Sequence, residues 1–560
     1  MSLLFVVQRP NPRRISTTML LLQVENLQIR FPEQAPVVQN SSFQVQRGEV
    51  LGIVGESGSG KSLTALSILQ LLPEQAALQG NITFQDVDLS RLSTAQMRSY
   101  RGSRIGMVFQ EPMRALHPIF RCGEQVMEAI LLHQDISQTA AKAQTLHWFE
   151  KVQLSDSERI FQSYPHQLSG GQKQRVLIAM AICCQPDLLI ADEPTTALDA
   201  SVQADILQLL KNLQQEMNLS ILFISHNLGV VQYMADRVLV MQKGKIVEQG
   251  EASAIFQQAK HPYTQQLLAA RPPIHQQLHR LPVGETPPIK SMPAQTISST
   301  KEVLLEVNDL RVWYSKRKNW WGKTTEFVKA VNSVSFELKK GQTLGLVGES
   351  GSGKSSIGRA LLRLTPVQTG KVAWKGQNIL ELSDQKMRKL RQKMQIIFQD
   401  PSSTLNPRLK VGQAIIEPML VHGLAINKKV AKAQALVLLE KVGLQKEHFD
   451  RYPHQFSGGQ RQRIAIARAL ALQPELIVCD ECVSSLDVSV QAQVLNLLKD
   501  LQEEFQLSYL FISHNLRVIR FMSDQILVLQ DGKIVERASN EALFNAPKTA
   551  YTKSLIQKNI

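Results

Sequence analysis

One run of residues occurs twice, in register, along this chain of 560 residues. Gly55-Glu56-Ser57-Gly58-Ser59-Gly60-Lys61-Ser62 returns as Gly348-Glu349-Ser350-Gly351-Ser352-Gly353-Lys354-Ser355. Leu168-Ser169-Gly170-Gly171-Gln172 returns as Phe456-Ser457-Gly458-Gly459-Gln460. Lys61 and Lys354 stand 293 residues apart, Ser169 and Ser457 288, and His226 and His514 288. An offset that barely drifts means that whole domains were duplicated. The chain is therefore expected to fold as two α/β domains of roughly 250 residues each, each long enough for its own core.

Within the first copy, expected from Met19 to Ala270, the buried strand Val50-Leu51-Gly52-Ile53-Val54 feeds the glycine-rich run, and a helix should follow. From Gly123 to about Arg159 the spacing turns helical, with Val126, Ile130 and Leu131 at i, i+4 and i+5, as in an inserted helical lobe. Leu188-Leu189-Ile190-Ala191 and Ile221-Leu222-Phe223-Ile224 read as buried parallel strands of a sheet covered on both faces. Arg271 to Val303 carries six prolines and little apolar periodicity, and is expected as a linker. Extended, it could reach on the order of 100 Å. The second copy is expected over 304–560.

No apolar stretch approaches the roughly 18 to 20 residues that span a bilayer, so the chain is expected to be soluble by itself. Residues 1–18 are expected as a tail or an upstream start; the arginines at positions 9, 13 and 14 follow the apolar Met1 to Val7, the reverse of a secretory signal. A formal charge of +15 points to an acidic partner: nucleotide, nucleic acid or an anionic membrane surface. The densest basic cluster, Arg311 to Lys329 with Trp313, Tyr314, Trp320 and Trp321, reads first as a solvated hairpin or loop and second as an RNA contact. Five cysteines argue for a reducing compartment. Cys183 and Cys184 are expected on a buried helix face, and Cys479 and Cys482 have C-x-x-C spacing without the second pair that a zinc site needs.

Gly55, Gly58 and Gly60 let backbone N–H groups turn inward, and the helix that follows adds the positive end of its dipole. Lys61 supplies a point charge for the β and γ phosphates, and Ser62 a hydroxyl for Mg2+. Gly348, Gly351, Gly353, Lys354 and Ser355 offer the same set. Asp192-Glu193 and Asp480-Glu481 end buried strands, at the sheet edge where ligands of such folds bind. Asp192 and Asp480 are expected to hold the metal through water, and Glu193 and Glu481 to polarise the attacking water as general bases. A lone Asp-Glu pair can be a strand-end cap, but each of these lies downstream of its own phosphate loop.

Together these motifs resemble those of the ATP-binding cassette family, and the resemblance covers nearly everything from Met19 onward. It implies two tandem P-loop NTPase (ABC ATPase) domains, each with a RecA-like core, an antiparallel β subdomain and a helical subdomain. Ser169, Gly170, Gly171 and Gln172, and Ser457, Gly458, Gly459 and Gln460, are similar to the family signature. Family cassettes stack head to tail around two ATP molecules. Here that implies that the loop of Lys61, with Glu56, Ser57 and Ser59, meets Ser457 to Gly459, and the loop of Lys354, with Glu349, Ser350 and Ser352, meets Ser169 to Gly171. Gln110 and Gln399 resemble the glutamines that touch Mg2+ and relay nucleotide state to membrane subunits. His226 and His514 resemble the histidine that contacts the γ-phosphate, and Asp199 and Asp487 the loop crossing the dimer seam. Phe31 and Tyr314 fit the aromatic that stacks on adenine. ATP and Mg2+ are thus the implied cofactors. Repeat two has Cys482-Val483-Ser484 where repeat one has Pro194-Thr195-Thr196, so a proline that stiffens the turn is missing. Glu481 stays, and two hydrolytic sites are expected.

A chain of this family without a membrane span implies an importer subunit. Its implied partners are two transmembrane permease subunits and a periplasmic solute-binding protein, and its place is the cytoplasmic face of a bacterial inner membrane. Tyr164-Pro165-His166-Gln167, Tyr452-Pro453-His454-Gln455, His261-Pro262-Tyr263-Thr264 and Tyr551-Thr552 resemble the dipeptide, oligopeptide and nickel importer branch. The stretch Asp480 to Asp487 is most similar to the branch members that import glutathione. Some relatives carry a C-terminal cysteine cluster for an iron–sulfur centre; no cysteine follows Cys482, and no such cluster is expected. The competing reading, a twin-cassette ATPase acting on ribosomes or nucleic acid, leans on the positive charge. Such relatives join their cassettes by a long charged helix or carry zinc-binding cysteine clusters, and neither fits this sequence.

Overall fold

The computed structural model describes residues 20–110, 115–196, 198, 200–274, 276, 278–283, 302–318 and 324–557. One compact unit takes in residues up to 198 and 205–265, the other 199–204 and 266 onward. Residues 1–18, Asp199, Trp320, Trp321 and the 284–301 part of the expected linker lie outside the described residues.

Among its described residues the first unit has ten strands: β1 (Leu20–Arg30), β2 (Val38–Gln46), β3 (Val50–Gly55), β4 (Ala77–Phe84), β5 (Val87–Asp88), β6 (Ile105–Val108), β7 (Leu188–Asp192), β8 (Ser220–Ile224), β9 (Arg237–Gln242) and β10 (Lys245–Glu251). They form a sheet of order β2-β1-β4-β5 and a second of order β10-β9-β3-β8-β7-β6. The second is parallel from β9 to β6, with β10 antiparallel at its edge. β3, β7 and β8 are buried along their whole length, which is why each reads as an unbroken apolar run rather than an alternation. Leu51, Ile53, Ile190 and Leu222 of this sheet share one core with Leu22, Val24 and Phe84 of the other. The helical lobe comprises Cys122–His133, Gln138–Lys151 and Ser157–Gln162. Its first and third helices approach through a glycine: a Cβ on Gly123 would lie 2.1 Å from the Phe161 ring.

The second unit repeats this plan with β11 (Val303–Lys318), β12 (Thr324–Lys339), β13 (Thr343–Val347), β14 (Thr369–Trp374), β15 (Gln377–Asn378), β16 (Met394–Ile397), β17 (Leu476–Asp480), β18 (Ser508–Ile512), β19 (Gln525–Gln530) and β20 (Lys533–Ser539). The orders are β12-β11-β14-β15 and β16-β17-β18-β13-β19-β20. The described parts of the basic, aromatic stretch lie in the antiparallel pair β11 and β12, in which the Lys329 ammonium lies 5.1 Å from the centre of the Trp313 ring opposite it.

Part of the expected linker packs into this second unit. Leu281 is buried, its N–H donates to Oδ1 of Asn496 at 2.9 Å, and its carbonyl accepts Nδ2 of Asn496 at 2.8 Å. Arg280 bridges Asp500 and Glu503 on the same helix, Val488–Phe505. Leu281 and Phe521 belong to one buried cluster.

Candidate functional site

In each unit the central strand delivers the glycine-rich loop to a helix. β3 ends at Gly55 and the helix Lys61–Ile68 begins after Gly60; β13 ends at Val347 and the helix Lys354–Leu361 begins after Gly353. A Cβ on Gly55 would come within 2.2 Å of the Met241 carbonyl oxygen, and one on Gly348 equally close to that of Leu529, so the chain passes only as glycine. Gly60 and Gly353 cap their helices at φ 98° and 99°, a left-handed conformation that L side chains avoid.

Both loop lysines are buried and rest on the loop's own carbonyls. Lys61 Nζ donates to the carbonyls of Gly55 and Glu56, each at 2.8 Å, and Lys354 Nζ to those of Gly348 and Glu349, each at 2.8 Å. The neighbouring Ser62 hydroxyl donates to Asp192 Oδ1 at 3.2 Å, and that of Ser355 to Asp480 Oδ1 at 2.6 Å. Burial pushes the Asp192 carboxyl up to about 6 against the pull of Ser62, and raises Asp480 in the same way.

One residue on, the second carboxylate of each pair sits between a glutamine and a histidine. Gln110 Nε2 donates to Glu193 Oε2 at 3.0 Å and His226 Nδ1 lies 3.0 Å from Oε1; a carboxylate only accepts, so Nδ1 carries the proton. Gln399 Nε2 donates to Glu481 Oε2 at 2.9 Å, with His514 Nδ1 3.3 Å from the same oxygen. Burial would raise Glu193, but the hydrogen bond and charge of His226 and the bonds from Thr196 and Gln110 outweigh it and hold the carboxyl at about 2. Glu481 is likewise lowered against burial, chiefly by His514. Both glutamates take φ near +50°, unusual for a residue with a Cβ, and their N–H groups are anchored on the Ile224 and Ile512 carbonyls.

The signature segments open the helices Gly170–Ile182 and Gly458–Leu470, with Ser169 and Ser457 exposed and most of each helix beyond its first turn buried. Ser169 and Gln172 cap one helix reciprocally, the Ser169 N–H donating to Gln172 Oε1 at 3.0 Å and the Gln172 N–H to Ser169 Oγ at 3.3 Å. Ser457 and Gln460 repeat this at 3.1 and 3.3 Å. Gly171 and Gly459 occupy the first turns of these helices. The Tyr-Pro-His-Gln segments just upstream stack tyrosine on histidine, Tyr164 on His166 and Tyr452 on His454.

Of the two aromatics, Tyr314 reaches its phosphate-loop helix, its hydroxyl donating to Ser356 Oγ at 3.2 Å. Phe31 is half-buried in the turn after β1. Three neighbours escaped the sequence reading. Thr196 donates to Glu193 Oε2 at 2.9 Å, Arg359 acts on the Asp480 carboxyl, and Tyr263 touches the first loop. Thr196 and Tyr263 stand in segments that the sequence singles out, but not for these contacts.

Among the described residues no helix is long and apolar enough to cross a membrane. The family profile described as ABC transporter matches residues 38–196 and 331–484, and that described as Oligopeptide/dipeptide transporter, C-terminal region, matches residues 247–295. Proteins named Glutathione import ATP-binding protein GsiA from Escherichia coli and Shigella sonnei are each 48% identical over 561 residues, covering 96% of this chain and 89% of theirs. The Salmonella typhimurium protein of that name is 48% identical over 554 residues, with the same coverage. More than half of the sequence falls within the ABC transporter profile, and the matched regions hold both phosphate loops and both carboxylate pairs; the chain belongs to the ABC transporter family.

Proposed function

We propose that this chain is the ATP-hydrolysing subunit of a binding-protein-dependent importer for glutathione or small peptides. The observation that carries the hydrolytic reading is the doubled arrangement of a half-buried carboxylate between a glutamine and a histidine, one residue beyond an aspartate bonded to the loop serine. The solute class is supported by the names of the relatives and by the oligopeptide/dipeptide profile over 247–295.

In this mechanism Lys61 and Lys354 leave the loop carbonyls for phosphate oxygens, while the backbone N–H groups of residues 57–62 and 350–355 cradle the rest. Ser62, Asp192 and Gln110, and Ser355, Asp480 and Gln399, offer hydroxyl, carboxylate and amide oxygens, the hard donors Mg2+ takes when phosphates and waters complete its shell. Mg2+, when bound, neutralises charge on the phosphate oxygens. Glu193 and Glu481 accept the proton of the attacking water at a carboxylate oxygen. His226 and His514 orient those carboxylates through Nδ1–H. Signature residues Ser169 to Gln172 and Ser457 to Gln460 complete the ATP sites by pairing of the cassettes within the chain. Since Gln110 and Gln399 bond directly to the bases, a permease subunit that shifts these glutamines changes how each base is held. That is a physical route from docking to hydrolysis.

The chain is then peripheral at the inner face of the membrane, borrowing two permease subunits and a solute-binding protein. Purification from mildly solubilised membranes tests this. Two polytopic subunits in stoichiometric amount, and ATPase activity that rises with glutathione only when those subunits and the binding protein are present, are expected. Recovery with ribosomal proteins or nucleic acid would overturn the import reading.

A further inference from the structure

A tyrosine from the last helix of each cassette holds the phosphate loop of that cassette. The Tyr263 hydroxyl oxygen accepts the backbone N–H of Glu56 at 3.2 Å, and that of Tyr551 accepts the N–H of Glu349 at 3.1 Å. The carbonyls of the same two residues accept the Lys61 and Lys354 ammonium groups. Glu56 and Glu349 are thus fixed on the amide side by a tyrosine and on the carbonyl side by the lysine that must move to reach a phosphate.

A second repeated contact fixes where these tyrosines stand. Glu248 on β10 accepts the N–H groups of Lys260 and His261 at 2.7 and 3.1 Å, at the entrance to the helix Pro262–Ala269. Glu536 on β20 accepts those of Lys548 and Thr549 at 2.9 and 3.1 Å, at the entrance to the helix Ala550–Gln557. The oligopeptide/dipeptide profile covers only the first of these, yet the second cassette repeats the construction. Tyr263 is buried, and burial raises the Tyr551 hydroxyl above the usual phenol range.

We propose that Tyr263 and Tyr551 are positioning residues that keep the phosphate loops in shape while Lys61 and Lys354 exchange backbone carbonyls for phosphate oxygens. A loop that must be ordered at the moment of binding loses affinity to that ordering. A hydrogen bond that holds Glu56 or Glu349 beforehand removes part of the cost. The proposal rests on the reading of the two loops as phosphate cradles.

Tyr263→Phe and Tyr551→Phe, singly and together in the full chain, delete the hydroxyl and keep the ring. Each single variant is expected to weaken ATP binding at one of the two sites by roughly three- to tenfold. In the double variant KM for ATP should rise more than kcat falls, and the thermal midpoint of the nucleotide-free protein should stay close to that of the parent. The Lys61→Ala, Lys354→Ala double variant is measured beside them. If it loses ATP binding while the tyrosine variants keep parental affinity and KM, the brace alone is overturned. If it binds ATP as the parent does, the cradle reading falls and the brace with it. A loss of affinity in the tyrosine variants that only tracks a fall in thermal midpoint assigns them to packing and overturns the positioning role.

Discussion

Glu193 and Glu481 occupy the same place in two copies of one fold, yet they are held differently. Gln110, Thr196 and His226 all reach the Glu193 carboxylate, using both of its oxygens. The Glu481 carboxylate is reached by Gln399 and His514, both at Oε2, and Ser484, which stands where the first copy has Thr196, donates instead to the Glu481 backbone carbonyl at 2.9 Å. The backbone does not change, with φ at 49° and 48°. The proline missing from the second copy therefore does not reshape the turn. The copies diverge through the side chains that surround a fixed backbone. The same holds one residue earlier, where Arg359 pulls the buried Asp480 carboxyl back down and the corresponding helix position of the first copy is Leu66.

The largest expected contrast is in stability. Phe521 is 2% exposed, in the cluster that includes Leu281, while its counterpart Tyr233 is 45% exposed. Phe521→Ala should cost about 3–5 kcal/mol by chemical denaturation, and Tyr233→Ala about 0.5 kcal/mol. Equal losses would remove the distinction between the two faces. Leu281→Ala, in the segment expected as linker, should cost about 2–4 kcal/mol in the same experiment, whereas a free linker would tolerate it without change. In turnover, Thr196→Ala in a Glu481→Gln background should lower the remaining rate by roughly tenfold or more, the effect of one hydrogen bond to a charged group. Ser484→Ala in a Glu193→Gln background should change it by less than about twofold, because that hydroxyl does not touch the carboxylate. A small effect is also expected of Arg359→Leu, which gives the second copy the residue of the first. Arg359 is exposed, and losing a cation of this kind should weaken ATP binding at the second site by about two- to threefold, read from a two-site titration.

What could be read from the sequence was what is local. The phosphate loops, the Asp-Glu pairs and the Ser-Gly-Gly-Gln helix starts each lie within a few consecutive residues, and the buried strands feeding them are continuous apolar runs. The helical lobe expected from Gly123 appears as helices from Cys122 onward. What escaped depends on distant partners. Tyr263 and Glu56 are 207 positions apart, and nothing near Tyr263 marks its hydroxyl as a phosphate-loop contact. Proline content marked Arg271 to Val303 as linker, and a few apolar residues such as Ile274 and Leu281, too sparse for a period, gave no sign that Leu281 enters the second core. Thr196 shows a third limit: its spacing from Glu193 is visible, but which oxygen its hydroxyl meets is a matter of rotamer.

The central claim is that both cassettes hydrolyse ATP through Glu193 and Glu481. Steady-state ATPase activity of the Glu193→Gln, Glu481→Gln double variant tests it most directly, with ATP binding measured on the same preparation. Turnover at saturating ATP should fall by at least about a hundredfold, while binding, which rests on the loops, persists. Turnover at the parental rate would contradict the assignment of both bases.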